Sequence, residues 1–167
     1  MTDESSLTQL AACDAPALMD SWEMLNGFVE NQAANLLDSS KRAYQVRLAC
    51  EELFSNIIRH SSGNHDLSKT SHIWLRAFKQ EAPQAALLIE IEDNGVHFDP
   101  DFTNERQIDL NQPIEQRQIG GLGLFLVQNS VDRVEYAWIN DRNRYRLFVF
   151  TADEPKSPVL DPIQIKP

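Results

Sequence analysis

Positive charge is scarce in this sequence: 15 Lys and Arg stand against 25 Asp and Glu, a formal net charge of −10. Polyanions are bound by cations that neutralise phosphates, so the deficit argues against nonspecific binding to nucleic acid or to an anionic membrane. Long apolar runs are missing too. None approaches the roughly 18 residues a membrane-spanning helix needs. The opening Met1-Thr2-Asp3-Glu4-Ser5-Ser6 is acidic and polar, unlike a secretory signal. Cysteine is limited to Cys13 and Cys50, far apart and without metal-ligand spacing. Reduced thiols in a cytoplasmic protein are expected. His60, His65, His72 and His97 lack zinc spacing as well, which favours surface or capping roles. There is no internal repeat.

What is present is 167 residues with 42% apolar and 24% charged side chains, enough for one domain with a sizeable core. That domain is expected over 1–151. The tail, 152–167, holds Pro155, Pro158, Pro162 and Pro167 and reads as extended or disordered.

Along the chain, residues 5–13 are weakly patterned and suit a first edge strand. Asp14 and Pro16 resemble a helix start, Asp as N-cap and Pro in the first turn. Leu18, Trp22, Leu25, Phe28 and Val29 then recur at helical spacing, to about Leu37. A second helix is expected from Lys41 to His60. Residues 72–79 alternate, with Ile73, Leu75 and Ala77 on one face and Trp74 and Phe78 on the other. With 86–92 they read as an antiparallel hairpin turning at 81–84. Residues 96–119 are polar and without period, a loop length that tends to be functional, such as a lid. A short helix over 124–131 follows, opened by glycines. Strands at 134–139 and 144–150 close the domain across a turn at Asn140–Asn143. The fold class is α+β: a two-layer sandwich, mostly antiparallel, with helices on one face of the sheet.

Three features fall outside what a core requires. On the second helix, Val46, Cys50, Leu53, Phe54, Ile57 and Ile58 form an apolar arc at roughly 100° per residue. Glu52, Asn56 and His60 run along its edge, each one turn from the next and about 5–6 Å apart at Cβ. A carboxylate and a carboxamide so placed can serve one ligand, although a rim facing water would carry the same residues. Asp93-Asn94-Gly95 ends a buried-looking strand, and alone would be read as a turn. Gly120-Gly121-Leu122-Gly123 meets a helix N-terminus, where unpaired N–H groups and close backbone approach suit phosphate. It is not a P-loop, which needs Lys-Ser/Thr after the glycines, nor a Rossmann turn, which needs a preceding strand.

In this order and on these elements, the three together resemble the motifs of the GHKL (Bergerat-fold) ATPases. Glu52-Leu53-Phe54-Ser55-Asn56 looks like the N box, Asp93-Asn94-Gly95 like the G1 box, and Gly121-Leu122-Gly123 like the G2 box. Within that superfamily the chain is most similar to the bacterial anti-sigma-factor serine kinases, over about residues 15–150. Val131-Asp132-Arg133-Val134-Glu135-Tyr136, after the glycines, adds to the likeness.

The resemblance implies ATP and Mg²⁺ as cofactors. Asn56 would give its side-chain oxygen to the metal, and Glu52 would act as general base on an incoming hydroxyl. Asp93 would accept from the adenine amino group, Gly95 would let the chain pass close to the base, and His60 would approach the nucleotide. Gly120, Gly121 and Gly123 would line the phosphates, with Leu122 and Leu124 in the same segment as backbone contact or pocket wall. Arg59, Arg106 and Arg117 offer local positive charge; Arg117 is a lid candidate, or else a solvated charge. One departure stands out. Many GHKL proteins support the adenine-binding Asp with a hydroxyl from a late Gly-Thr, where this chain reads Asn143-Arg144-Tyr145-Arg146.

The implied function is a cytoplasmic serine kinase of a partner-switching module. It would sequester a sigma factor and phosphorylate a small anti-anti-sigma antagonist on Ser or Thr, with no direct role for nucleic acid or membrane. A homodimer is allowed by the resemblance, and no residue pattern requires one. The alternative is an ATP-binding sequestration module without phosphotransfer, which would not need Glu52 beside a metal ligand. Hydrolysis coupled to conformational change, as in GHKL chaperones, is a third reading.

Overall fold

Alternation and apolar periodicity divide the described residues into five strands and three α-helices. The computed structural model describes residues 6–62, 71–104 and 121–151. In chain order these are β1 (Leu7–Pro16), a 3₁₀ turn (Met19–Ser21), α1 (Trp22–Leu36), α2 (Ser40–Ser62), β2 (His72–Gln80) and β3 (Ala86–Asp93). After them come α3 (Gly121–Ser130), β4 (Arg133–Ile139) and β5 (Arg142–Phe150). The strands form one sheet in the order β1-β2-β3-β5-β4, and every neighbouring pair is antiparallel. The fold is α+β, as the sequence leads one to expect.

Strand parity decides which residues reach the core. Ile73, Leu75 and Ala77 of β2, Leu87, Ile89 and Ile91 of β3, and Tyr145, Leu147 and Val149 of β5 all point to one side. There they pack against Leu25, Val29 and Ala33 of α1, against Val46, Cys50, Leu53, Phe54 and Ile57 of α2, and against Leu124 and Val127 of α3. The apolar arc read from α2 is thus its core face. Burial pushes the Cys50 thiol well up, with Glu51 adding to the effect, so it stays an inert apolar side chain.

The opposite face of the sheet is held by charge. Glu90 and Glu92 on β3 are 2% and 4% exposed although they face away from the helices. Arg76 from β2 reaches both, at 2.6 and 2.8 Å. From β5, Arg144 grips Glu92 at 2.7 Å and Arg146 grips Glu90 at 2.7 Å, while Arg142 meets Glu92 at 3.1 Å. Arginine guanidinium groups also cover aromatic rings, Arg142 Cζ lying 3.7 Å over Trp74 and Arg133 Cζ 3.8 Å over Phe148.

Two expectations are corrected. Asp14 and Pro16 do not start a helix; β1 runs through both. Both pair with β2, Asp14 opposite Trp74 and Pro16 opposite His72, and Asp14 Oδ2 lies 2.6 Å from His72 Nε2. Pro16 ends an edge strand, where a missing N–H breaks no ladder bond. The helix therefore begins only at Trp22, after the 3₁₀ turn. The second correction concerns Asn143, which is not in the last turn. Only Asn140 and Asp141 turn, with φ of 53° and 57°, a two-residue hairpin loop that matches strand twist. The proline-rich tail, Gly120, His65, Arg106, Arg117 and the loop beyond Asn104 lie outside the described residues.

Candidate functional site

The three sequence motifs meet at one end of the sheet. Register places Asp93, the last residue of β3, directly opposite Asn143 on β5. Helix α2 passes over this end, and its Leu53, Asn56, Ile57, His60 and Ser61 form one wall of a cleft. Asp93, Gly95, Val96, Phe98, Asn143 and Tyr145 form the rest, with Leu124 from α3.

Asp93 is the most constrained acid in the cleft. It is 3% exposed, and its two oxygens have different surroundings. Oδ1 accepts from the Gly95 N–H at 2.8 Å and from Asn143 Nδ2 at 3.1 Å. Oδ2 is buried and has no partner among the described residues. Burial raises the Asp93 pKa, against the Asn143 and Gly95 hydrogen bonds and the nearby His60, which act to lower it. An orphaned acceptor of this kind is costly unless a ligand supplies a donor. Gly95 is required by space: a Cβ there would lie 2.8 Å from Asp93 Oδ1 and 3.4 Å from Ser71 Oγ.

Asn143 occupies the place where a supporting hydroxyl was absent from the sequence. It supplies the support itself. The strand phase of Tyr145, Leu147 and Val149 turns the residue two positions earlier toward the same side, and Asn143 is 1% exposed there. That phase was the available signal for it, as for Tyr145. Phe98 had none: its ring stacks on His60, centroids 5.5 Å apart, through a contact between distant segments.

Asn56 lines the cleft, and its carboxamide makes no hydrogen bond with the described residues, so its oxygen is available. His60 lines it too, exposed and stacked on Phe98. Glu52 is placed differently. Its carboxylate turns to the first turn of α3, where a Cβ on Gly123 would lie 2.6 Å from Oε2. It is beside the cleft, not on its lining. Around Gly121 there is open space, and Leu122 is 48% exposed, whereas Leu124 is buried and lines the cleft. Arg59 is exposed and donates to Ser55 Oγ, away from the lining.

Residues 16–147 match the family described as the histidine kinase-like ATPase domain. The chain belongs to this family. The matched span contains Glu52, Asn56, Asp93, Gly95 and the glycines of α3, and an ATPase domain implies ATP as the nucleotide bound. Two curated relatives are similar over shorter stretches. A serine-protein kinase RsbW from Listeria monocytogenes is 30% identical over 94 residues, 54% of this chain and 55% of the relative. Another, from Halalkalibacterium halodurans, is 29% identical over 92 residues, 54% of this chain and 52% of the relative. The chain spans about half the length of the curated relatives it matches.

Proposed function

We propose that this protein is an ATP-dependent serine protein kinase and anti-sigma factor. It holds a sigma factor in competition with a small antagonist, and by phosphorylating that antagonist on Ser or Thr it stays free to hold the sigma factor. The observation that carries the nucleotide reading is the orphaned Oδ2 of Asp93, buried in a cleft that also presents the free carboxamide of Asn56. An exocyclic amino group is the donor Oδ2 lacks, and adenine has one where guanine has a carbonyl. The kinase and partner assignments draw support from the two RsbW relatives, each named a serine-protein kinase. A homodimer and a cytoplasmic location belong to the same reading. Among the described residues no helix is long and apolar enough to cross a membrane.

The residues fit the chemistry. Asn56 would hold Mg²⁺ through its side-chain oxygen, the remaining positions falling to phosphate and water, as a hard octahedral cation prefers. Bound there, the metal neutralises phosphate charge; the rest is positioning. The N-terminus of α3, with Gly121 and Gly123, offers unpaired N–H groups to the phosphates. Glu52 lies against that same turn, and as general base it would take the proton of a hydroxyl approaching the terminal phosphate.

The test uses the full chain with labelled ATP and its candidate antagonist. Glu52→Gln should keep nucleotide affinity within about threefold and lose phosphotransfer by at least ~10². Asn56→Ala should weaken Mg-ATP binding itself. Transfer at the wild-type rate by Glu52→Gln would remove Glu52 as the base. A wild type that binds ATP and its partners but labels neither would support the second reading, sequestration without phosphotransfer. The placement of Glu52 off the cleft lining favours that reading.

A further inference from the structure

The side chain of Asn143 has no unused hydrogen-bonding capacity. Nδ2 donates to Asp93 Oδ1 at 3.1 Å and to Val96 O at 2.9 Å. Oδ1 accepts from the Phe98 N–H at 3.0 Å and from the Tyr136 hydroxyl at 2.9 Å. A carboxamide has two donors and two acceptor sites, so all four are filled. The orientation is not interchangeable: a reversed amide would set its NH₂ against the Phe98 N–H and its oxygen against a carboxylate and a carbonyl.

We propose that Asn143 is a specificity-determining positioning residue that joins recognition of the base to placement of the chain following it. Two donors, Asn143 Nδ2 and the Gly95 N–H, fall on the same Asp93 oxygen, which fixes the carboxylate and leaves Oδ2 as the oxygen without a partner among the described residues. A carboxylate so fixed accepts from a 6-amino purine and opposes the carbonyl of a 6-oxo purine. Released, it can rotate or admit water, and that discrimination falls. The same side chain ties Val96 and Phe98 to β5, and Phe98 stacks on His60 at the cleft wall. A Thr at 143 has one hydroxyl donor; it can serve Asp93 but cannot span Val96 O and the Phe98 N–H together. The proposal deepens the adenine reading of Asp93 and rests on it.

The experiment measures ATP and ITP affinity by calorimetry for wild type, Asn143→Leu and Asn143→Thr, with thermal midpoint and amide exchange at Phe98 on the same proteins. ITP differs from ATP in carrying a 6-oxo group for the 6-amino group. Asn143→Leu should lower the ATP:ITP preference by at least about tenfold, because it removes a hydrogen bond to a charged group. Asn143→Thr should recover most of the preference. Exchange at the Phe98 amide should quicken by about tenfold or more in both, the scale of one lost hydrogen bond. A folded Asn143→Leu with the wild-type ATP:ITP ratio overturns the proposal, as does unchanged Phe98 exchange in Asn143→Thr, the deciding variant if Leu does not fold. A wild type that binds ATP and ITP alike overturns both this proposal and the base-recognition reading. Discrimination by the wild type that survives undiminished in Asn143→Leu overturns this proposal alone.

Discussion

A methyl group added at Gly123 would move stability and activity in opposite directions. The residue sits in the first turn of α3, where Ala is favoured over Gly by up to about 1 kcal/mol in a helix. The new Cβ would lie 2.6 Å from Glu52 Oε2, the far end of a side chain that can swing away. Gly123→Ala should therefore fold with an equal or higher thermal midpoint. It should also displace the proposed base by about 1 Å, a shift on the scale that costs ~10²-fold in rate. Calorimetry and a phosphotransfer assay on one preparation would check both signs. A variant as active as wild type would mean that the position of Glu52 is immaterial. Glu52 itself was legible from spacing along one helix, and so were Asn56 and His60. Its contact with Gly123 was not, because it depends on how α3 docks against α2.

At the scale of elements, the charged outer face of the sheet makes stability depend on acid. Burial acts to raise the Glu92 pKa, but hydrogen bonds from Arg144 and Arg142 and the charges of Arg76 and Arg144 outweigh it and hold it below the usual range. A carboxylate with a depressed folded value contributes stability that is complete above its unfolded value, near 4.3, and lost as pH falls through the folded one. Asp93 runs the other way: its raised value costs stability at neutral pH, and that cost fades as pH falls. Glu92→Gln should lose about 1–3 kcal/mol at pH 7. At a pH below the depressed value it should differ little from wild type, as urea unfolding at the two pH values would show. Equal losses at both would assign the effect to packing. The two-residue period made β2 readable, and β3 was readable as a short apolar run joined to it by a turn. Strand β1 was half-readable, being an edge strand with a register shift between Gln9 and Ala11. Its final Asp14 and Pro16 carry the chemistry of a helix cap, and only the pairing partner tells the two apart. Asn143 was obscured likewise: Asn140-Asp141-Arg142-Asn143 has turn composition throughout, while strand pairing across 50 positions decides where the turn stops.

For the whole molecule, ATP should act as part of the fold. A ligand that binds only the native state at 100 times its Kd adds about 2.7 kcal/mol. For a domain near this size that is a rise of roughly 5–10 °C in thermal midpoint. ATP should give that rise and ITP a much smaller one, measured by scanning calorimetry at matched concentrations. Equal shifts would remove base selection from the cleft. The molecule also provides an optical gauge for such events. His97, between the two tethered residues Val96 and Phe98, lies with its ring 4.7 Å from the indole of Trp138 on β4. Trp22 is on α1, and Trp74 is under Arg142 on the outer face. Of the three indoles, Trp138 is the one in ring contact with the stretch that follows the Asp93 turn, so its emission reports whether that stretch is seated, and no dye need be attached.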